Sequence, residues 1–174
     1  MLAHAVGVLG RARGSDTDLL DLPWPAPPPW REVPAVPIEN GGPTFARHFE
    51  FRPLGAAPFS GAASDVDGDD SLVASGWVRP RDPGPARDAA YVASLADAWW
   101  PAILGRFTAP RPVATVAYTL EILDGTLGLD PDAPFFHTAR CVACRAGYLV
   151  EMRQLWGEDG RLLALNQQTI AIIK

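Results

Sequence analysis

The sequence is poor in three features that define large classes of proteins: cysteine, positive charge and long apolar stretches. Its 174 residues include two cysteines, which is too few for a disulfide scaffold and favours the cytoplasm. The 15 Lys and Arg residues are outnumbered by 20 Asp and Glu, so the net charge of −5 argues against a surface for nucleic acid or anionic membrane. No apolar run reaches the about 18 residues that a membrane-spanning helix needs, and the N-terminal stretch lacks the basic start of a secretory signal.

Enough apolar residues are nevertheless present to build a core. Hydrophobic residues make up 48% of the chain, the mean hydropathy is +0.02, and there are six Trp and seven Phe residues. This composition excludes a wholly disordered chain, and the length suits one ordinary domain. Neither an internal repeat nor a glycine-rich phosphate-binding loop is visible in the sequence.

Proline is abundant, and eight of the 18 prolines fall within residues 23–43. Because proline has no N–H to donate and keeps the preceding residue out of the helical region, we interpret this segment as an extended linker. Before it, residues 1–22 contain one short apolar run, residues 3–9, which predicts a single strand. A lone strand cannot bury itself, so it must join a sheet supplied by this chain or by another. Residues 44–174 are then the folded domain.

The periodicity after the linker predicts strands and one helix. The predicted strands cover residues 44–52, 71–79, 113–123, 135–145, 148–156 and 162–173. The helix is expected over residues 89–104, with Asp88 as its N-cap and Pro101 ending or kinking its last turn. Residues 157–160 (GEDG) predict a hairpin turn. The order β-β-α-β-β-β-β favours an α+β fold, with an antiparallel sheet wrapped around one long central helix.

One carboxylate stands out because the predicted helix is otherwise apolar nearly all round. Asp97 is the only ionisable carboxylate in residues 89–104 (AAYVASLADAWWPAIL), and a helix of this composition is expected to be buried. A buried carboxylate is costly unless it gains hydrogen-bond partners. Asp97 is therefore either a general base or a residue that is satisfied by backbone amides or faces a wet edge.

Two further polar side chains lie on predicted strands. In the last strand, alternation places Gln168 on a mostly aliphatic face with Leu162, Ala164, Asn166, Ile170 and Ile172. Gln168 therefore needs hydrogen-bond partners, and a bond to neighbouring backbone is the simplest account of it. In the strand over residues 113–123, alternation places Thr115 on the face opposite Val116 and Tyr118. Threonine is common in strands for packing reasons alone.

Metal and cofactor sites are not predicted. Cys141 and Cys144 have C-x-x-C spacing, but three residues apart on a strand they point to opposite faces, and no second Cys/His pair has the spacing for zinc. The acidic run 65–70 departs from a calcium loop, which needs Gly at the sixth position and Glu at the twelfth, where this chain has Asp70 and Gly76. The histidines are dispersed, and none accompanies a recognisable Ser or Cys nucleophile motif.

Four strings between residues 77 and 168 carry a family resemblance: WVRPRD (77–82), LADAWWPA (95–102), ATVAYTLEI (114–122) and GYLVEMRQLWGEDGRLLALNQQ (147–168). In this order and spacing they resemble the thioesterase-like superfamily, specifically the C-terminal half of double-hotdog acyl-CoA thioesterases of the thioesterase II type. The resemblance extends from about Phe45 to the C-terminus.

The resemblance implies a hotdog fold, in which a sheet wraps a central helix, and a site that holds an attacking water. In the family, that water is held by an Asp on the helix, a Thr on the following strand and a Gln on the last strand. By position these residues are Asp97, Thr115 and Gln168. Family members usually carry a His-Phe pair late in the middle strand, where this chain has Glu121 and Ile122.

The resemblance also implies a second hotdog. Family members have two hotdogs in one chain, and this chain has one. Residues 1–13 resemble the last strand of a preceding hotdog, and residues 23–43 resemble the linker between the two domains. The chain is then a fragment, has a misassigned start, or pairs with another chain, and we expect a homodimer or a higher homo-oligomer.

Two functions follow from these expectations. The first is hydrolysis of acyl-CoA thioesters in fatty acid metabolism, with Asp97 deprotonating a water that Thr115 and Gln168 orient. Backbone amides near the helix would then stabilise the oxyanion. The alternative is a hotdog binding or assembly subunit that is catalytically silent without a second hotdog.

Overall fold

The described residues form six strands and one α-helix. The computed structural model of the chain describes residues 3–11, 13–14, 16–37, 42–61, 72–124, 130 and 132–173. The strands are β1 (Phe49–Leu54), β2 (Val73–Pro80), β3 (Val113–Ile122), β4 (Phe135–Arg145), β5 (Tyr148–Gly157) and β6 (Leu162–Ile172). The helix, α1, is Ala89–Asp97. The strands make one sheet in the order β1-β2-β4-β5-β6-β3, and every neighbouring pair is antiparallel.

The predicted α+β class and the order β-β-α-β-β-β-β are confirmed. The predicted strand ends differ by at most two residues for the five strands after β1. The predicted hairpin turn joins β5 to β6, with the N–H of Gly160 donating to the carbonyl oxygen of Gly157 at 3.1 Å. Gly160 has a φ of +83°, which a glycine adopts without steric cost.

The prediction of a strand over residues 44–52 is wrong in its first half. Thr44–His48 is a 3-10 helix, and β1 begins only at Phe49. The register explains the difference, because Phe49 pairs with Pro80, the last residue of β2. Residues before Phe49 therefore have no strand beside them to complete a ladder.

The helix begins where predicted and ends earlier. The side chain of Asp88 accepts a hydrogen bond from the backbone N–H of Tyr91 at 3.1 Å, which confirms the N-cap. The expected end at residue 104 is wrong, since α1 stops at Asp97 and a separate 3-10 helix covers Ala102–Arg106. Pro101 accounts for this: it has no N–H to donate to the carbonyl oxygen of Asp97, four residues earlier, and its ring would clash with that carbonyl in a continued helix.

The two faces of the sheet carry two separate apolar clusters. The inner cluster packs α1 and the segment after it against the sheet, and it includes Leu95, Trp99, Phe135 and Leu155. The outer cluster consists of buried Trp30, Val33, Trp77, Phe136, Trp156 and Leu162. Leu162 was expected on the same face as Gln168. It lies instead in the outer cluster, because the pairing of β5 with β6 shifts by one residue beside Trp156.

The proline-rich segment lies against the sheet instead of spanning free solvent. We call residues 22–36 the strap. The guanidinium of Arg52 donates to the carbonyl oxygens of Trp30 and Val33 at 3.0 and 2.9 Å. The indole N–H of Trp77 donates to the carbonyl oxygen of Pro28 at 2.9 Å. The strap therefore contributes buried side chains to the fold, although the proposed boundaries after residues 22 and 43 stay predictions.

Residues 3–9 form no strand in this chain, contrary to the expectation from their apolar composition. Val6, Val8 and Leu9 are 77%, 96% and 93% exposed, so nothing in the described part of the chain pairs with them. No helix among the described residues is long and apolar enough to cross a membrane.

Candidate active site

Asp97 is exposed at the carboxyl end of α1, which corrects the expectation that it is buried in an apolar helix. The helix buries Val92, Leu95 and Ala96, while Ser94 and Asp97, three residues apart, share an exposed stripe. The abundance of alanine hides this stripe in the sequence, because alanine counts as apolar whether it faces the core or the solvent. Asp97 is therefore within reach of water and substrate.

The three predicted site residues come together in one hydrogen-bonded cluster, although they lie on three separate elements. The side-chain amide of Gln168, on β6, donates to Oδ1 of Asp97 at 2.9 Å. Thr115, on β3, donates through its hydroxyl to Oε1 of Gln168 at 3.4 Å. Gln168 is 1% exposed, so the buried amide joins an exposed carboxylate to an exposed hydroxyl.

Asn166 completes the cluster and was not among the predicted site residues. Its Oδ1 accepts the second hydrogen bond from Nε2 of Gln168 at 3.0 Å, and its own amide donates to the carbonyl oxygen of Thr119 at 2.7 Å. Both protons of the Gln168 amide are thereby used, which fixes the orientation of this side chain. Asn166 could have been predicted from the sequence, because it precedes Gln168 by two residues and therefore lies on the same face of the last strand.

A β-bulge in β3 brings a second missed residue to the site. Thr115 pairs with Ile170 and Tyr118 pairs with Gln168, and the register shifts between Thr115 and Ala117. The extra residue breaks the alternation, so Thr115 and Tyr118 line the same cleft instead of opposite faces. The prediction that they point apart is wrong, and nothing in the residue pattern marks the bulge.

Asp97 and Thr115 line an open cleft of about 520 Å³ between α1, β3 and the start of β1, with Gln168 buried behind them. Its walls are mostly apolar, and its lining consists of Phe45, Phe49, Ala93, Ser94, Asp97, Ala98, Thr115 and Tyr118. The Tyr118 hydroxyl donates to the carbonyl oxygen of Ala93 at 3.4 Å. Burial and the negative charge of Asp97 raise the pKa of Tyr118 to about 12, so its hydroxyl stays protonated at neutral pH. An apolar cleft with a few polar groups is typical of small-molecule sites.

The cleft supplies the groups for activating a water. A carboxylate accepts protons, while hydroxyl and amide groups can hold and orient the water. The first turn of α1, whose backbone amides point out of the helix, is about 12 Å from Asp97 along the helix axis. The cleft adjoins the carboxyl end of this helix.

The prediction that Cys141 and Cys144 point to opposite faces is wrong, because a register shift in β4 pairs them with Glu151 and Leu149, which share one face of β5. Cys141 is buried and Cys144 is exposed, and both are free thiols. Burial raises the pKa of Cys141 to about 11, which keeps its thiol protonated and unreactive. Within the described residues, no group of three or more His, Cys, Asp and Glu side chains could hold a metal ion. The acidic run 65–70 lies outside the described residues.

Comparison of the sequence with models of known protein families identifies the family of this chain. The family model for the C-terminal domain of acyl-CoA thioesterases matches residues 17–172. The chain belongs to this family. The expected relationship to thioesterase II proteins is thereby confirmed, and the match includes the whole strap. No curated protein is significantly similar to the chain in sequence.

Solved structures confirm the hotdog fold of this thioesterase domain. A hotdog-fold protein of unknown function from Alicyclobacillus acidocaldarius superposes with a TM-score of 0.71 at 23% identity, over 94% of this chain and 58% of its own. A putative thioesterase II from Thermobifida fusca has a TM-score of 0.66 at 24% identity, over 88% and 55%. The acyl-CoA thioesterase II of Mycobacterium marinum has a TM-score of 0.58 at 18% identity, over 94% and 59%. The chain thus spans between half and two thirds of the length of these structures.

Proposed function

We propose that the domain hydrolyses acyl-CoA thioesters to a free acid and CoA. The observation that carries the proposal is the hydrogen-bonded meeting of Asp97, Thr115 and Gln168 at 2.9 and 3.4 Å, with Asp97 and Thr115 lining one open cleft, in a chain that belongs to the acyl-CoA thioesterase family. The apolar walls suit an acyl chain, and the polar cluster faces the place where a thioester carbonyl would lie. Fatty acid metabolism in the cytoplasm is the setting that fits this chemistry.

In the proposed mechanism, Asp97 is the general base. One of its carboxylate oxygens, Oδ1, accepts a hydrogen bond from Gln168, which leaves Oδ2 to take the proton of a water in the cleft that Asp97 lines. A water beside Asp97 and Thr115 gives its proton to the carboxylate, and its oxygen attacks the thioester carbonyl carbon. The tetrahedral intermediate then expels the CoA thiolate, which takes the proton from Asp97. No bond forms between the enzyme and the acyl group, so the mechanism needs no serine or cysteine nucleophile.

The second candidate function is a binding or assembly subunit that is silent without a second hotdog. It is favoured by β3, the edge strand of the described sheet that lies beside β6. This edge strand carries Thr115 and is exposed over most of its length. We propose that a second copy of the chain pairs beside β3, which makes a homodimer the active form.

A CoA-release assay on the purified protein, across several acyl chain lengths, separates the two functions. Asp97→Asn is expected to lower kcat by about 10²-fold or more, since it keeps the shape of the side chain and removes the base. Thr115→Ala and Gln168→Ala are expected to lower kcat less, because these residues orient the water and the carboxylate without taking a proton. A wild-type protein that binds acyl-CoA without releasing CoA would support the silent subunit.

The matched control is Asp88→Asn, which removes a carboxylate from the other end of the same helix. Asn is as good an N-cap as Asp, so this variant should keep both fold and activity. If Asp97→Asn retained a kcat within about threefold of wild type, the general-base role would be wrong, because that role is worth about 10² to 10⁴ in rate.

A further inference from the structure

A buried ion pair lies beneath the carboxyl end of α1, next to the candidate active site. Glu151 and Arg153 are two residues apart on β5 and share its inner face, and their side chains are 0% and 2% exposed. Oε2 of Glu151 accepts from Nε and Nη2 of Arg153 at 3.1 and 2.9 Å. A buried pair of this kind recovers little more than its desolvation cost, so stability alone does not account for it.

The remaining hydrogen bonds of the pair all go to the backbone on either side of Asp97. Nη1 of Arg153 donates to the carbonyl oxygens of Ala96 and Trp99 at 3.5 and 3.2 Å. Oε1 of Glu151 accepts from the backbone N–H of Ala102 at 2.6 Å. The pair therefore contacts the residue before Asp97, the second residue after it and the start of the next 3-10 helix.

These are backbone groups that the end of a helix leaves without partners. The last carbonyl oxygens of a helix need donors from elsewhere, and a cation is favourable at this end of the helix dipole. Pro101 stops α1 at Asp97, and the backbone bonds that tie the turn over residues 98–101 to its two helices run from Ala98 to Leu95 at 3.4 Å and from Leu104 to Pro101 at 3.0 Å. Trp99 adds a second attachment, since its ring stacks on His137 with centroids 5.4 Å apart.

We propose that Glu151 and Arg153 are positioning residues, which hold the turn after α1 so that the Asp97 carboxylate stays in place against Gln168. The inference rests on the proposed function, because it assigns these residues a part in the same site. They touch neither the cleft nor the substrate and act only through the backbone of residues 96–102. A misplacement of about 1 Å at a reacting group can lower a rate by about 10²-fold.

The first test replaces the pair by apolar residues of similar size, as Glu151→Leu with Arg153→Met. Such replacements often keep or raise stability, so the double variant is expected to fold. We expect kcat to fall by about 10-fold or more with KM within threefold, since the cleft walls stay unchanged. The control is Glu50→Leu with Arg79→Met, which removes the 3.0 Å ion pair between β1 and β2 together with the 2.7 Å bond from Arg52 to Glu50 and should leave kcat within twofold of wild type. A double variant at Glu151 and Arg153 with wild-type kcat would overturn the inference.

A second test combines the double variant with Asp97→Asn. Because the pair acts through Asp97, adding the double variant to Asp97→Asn is expected to lower kcat by less than twofold further. Full multiplication of the two effects would mean that the pair acts by another route. If Asp97→Asn alone were as active as wild type, the general-base role of Asp97 would be wrong, and this arm reports that failure separately.

A third test needs no activity. The Gln168 side-chain amide protons report the hydrogen bond to Asp97, and their NMR signals can be assigned with Gln168→Ala. In the Glu151→Leu/Arg153→Met variant these signals should move towards their positions in Asp97→Asn. Signals that stay at the wild-type positions would overturn the inference even if the chain hydrolyses nothing.

Arg153→Lys keeps the test decisive if the double variant does not fold. Lysine retains a cation but loses the planar fork that reaches Glu151 and two carbonyl oxygens together. This variant is expected to fold and to have a kcat at least threefold below wild type, with KM within threefold. Wild-type kcat in Arg153→Lys would contradict a positioning role for the guanidinium.

Discussion

At the scale of single residues, His137 makes the stability of the protein depend on pH. It lies fully buried on β4, with its ring nearly parallel to that of Trp99. Burial and the positive charge of Arg153 lower its pKa well below the ordinary value of 6.5. Below pH 6.5 the unfolded chain therefore binds a proton that the folded chain does not, and the free energy of unfolding falls as the pH falls.

We expect the free energy of unfolding to be nearly constant above pH 7 and to decrease below pH 6.5 by up to about 1.4 kcal/mol per pH unit. His137→Phe keeps an aromatic ring on Trp99 and should remove this dependence between pH 5.5 and 7.5. Urea denaturation at several pH values measures it, with exposed His48→Gln as the control. The same slope in wild type and His137→Phe would show that other groups cause the dependence.

Some site residues could be predicted from the residue pattern, and others could not. Asp97 stood out as the lone carboxylate of an apolar helix and Gln168 as an amide on a mostly aliphatic face, and they meet at 2.9 Å. Thr115 carried no such signal and entered only through the family resemblance. Glu151 and Arg153 could have been noticed, because charged residues alternate there with Leu149 and Leu155 on one face of β5.

At the scale of elements, the length of α1 decides where the site lies. A helix that continued to residue 104 would leave Asp97 in its interior, with helical backbone on both sides. Pro101→Ala supplies an N–H for the carbonyl oxygen of Asp97 and removes the ring clash. We expect the helix to lengthen by about one turn and kcat to fall by about 10-fold, since the turn held by Arg153 is lost.

Far-UV circular dichroism and the CoA-release assay measure these two effects of Pro101→Ala. The control is Pro110→Ala, in an exposed loop, which should change neither the helical signal nor kcat. An unchanged helical signal together with wild-type kcat would mean that packing of the residues after Asp97, rather than the proline, ends the helix.

Strand boundaries were predictable because β-branched and apolar residues alternate between turn residues. Deviations from that regularity were not. The bulge that turns Thr115 and Tyr118 to the same side, and the register shift that sends Leu162 to the outer cluster, depend on pairing with neighbouring strands. A single strand's sequence contains the alternation and not the pairing.

At the scale of the whole molecule, β3 forms one exposed edge of the sheet. It is an edge strand that pairs only with β6 among the described strands, and Val116 and Ile122 are 60% and 39% exposed. An apolar edge with unpaired backbone groups favours association with another chain. A partner at this edge would lie beside Thr115 and so beside the candidate site.

We expect the wild-type protein to have at least twice its chain mass of 18.7 kDa in solution, as measured by light scattering at micromolar concentration. Val116→Lys should yield monomers, because a charge on an edge strand opposes pairing. Val142→Lys is the control, since Val142 is 53% exposed on β4, away from this edge. A wild-type monomer, or a Val116→Lys variant that stays associated, would contradict pairing at β3.

The tryptophans of the strap and of the strands beneath it allow the attachment of the strap to be followed by fluorescence. Of the six tryptophans in the chain, Trp24 and Trp30 lie on the strap, and Trp77 and Trp156 lie on the strands beneath it. The Trp24 ring is 5.4 Å from that of Trp156 and 6.5 Å from that of Trp77. Lifting the strap would move four indoles from an apolar setting towards water in one event, so the wavelength of their fluorescence would report whether the segment leading to residues 1–22 is docked or released.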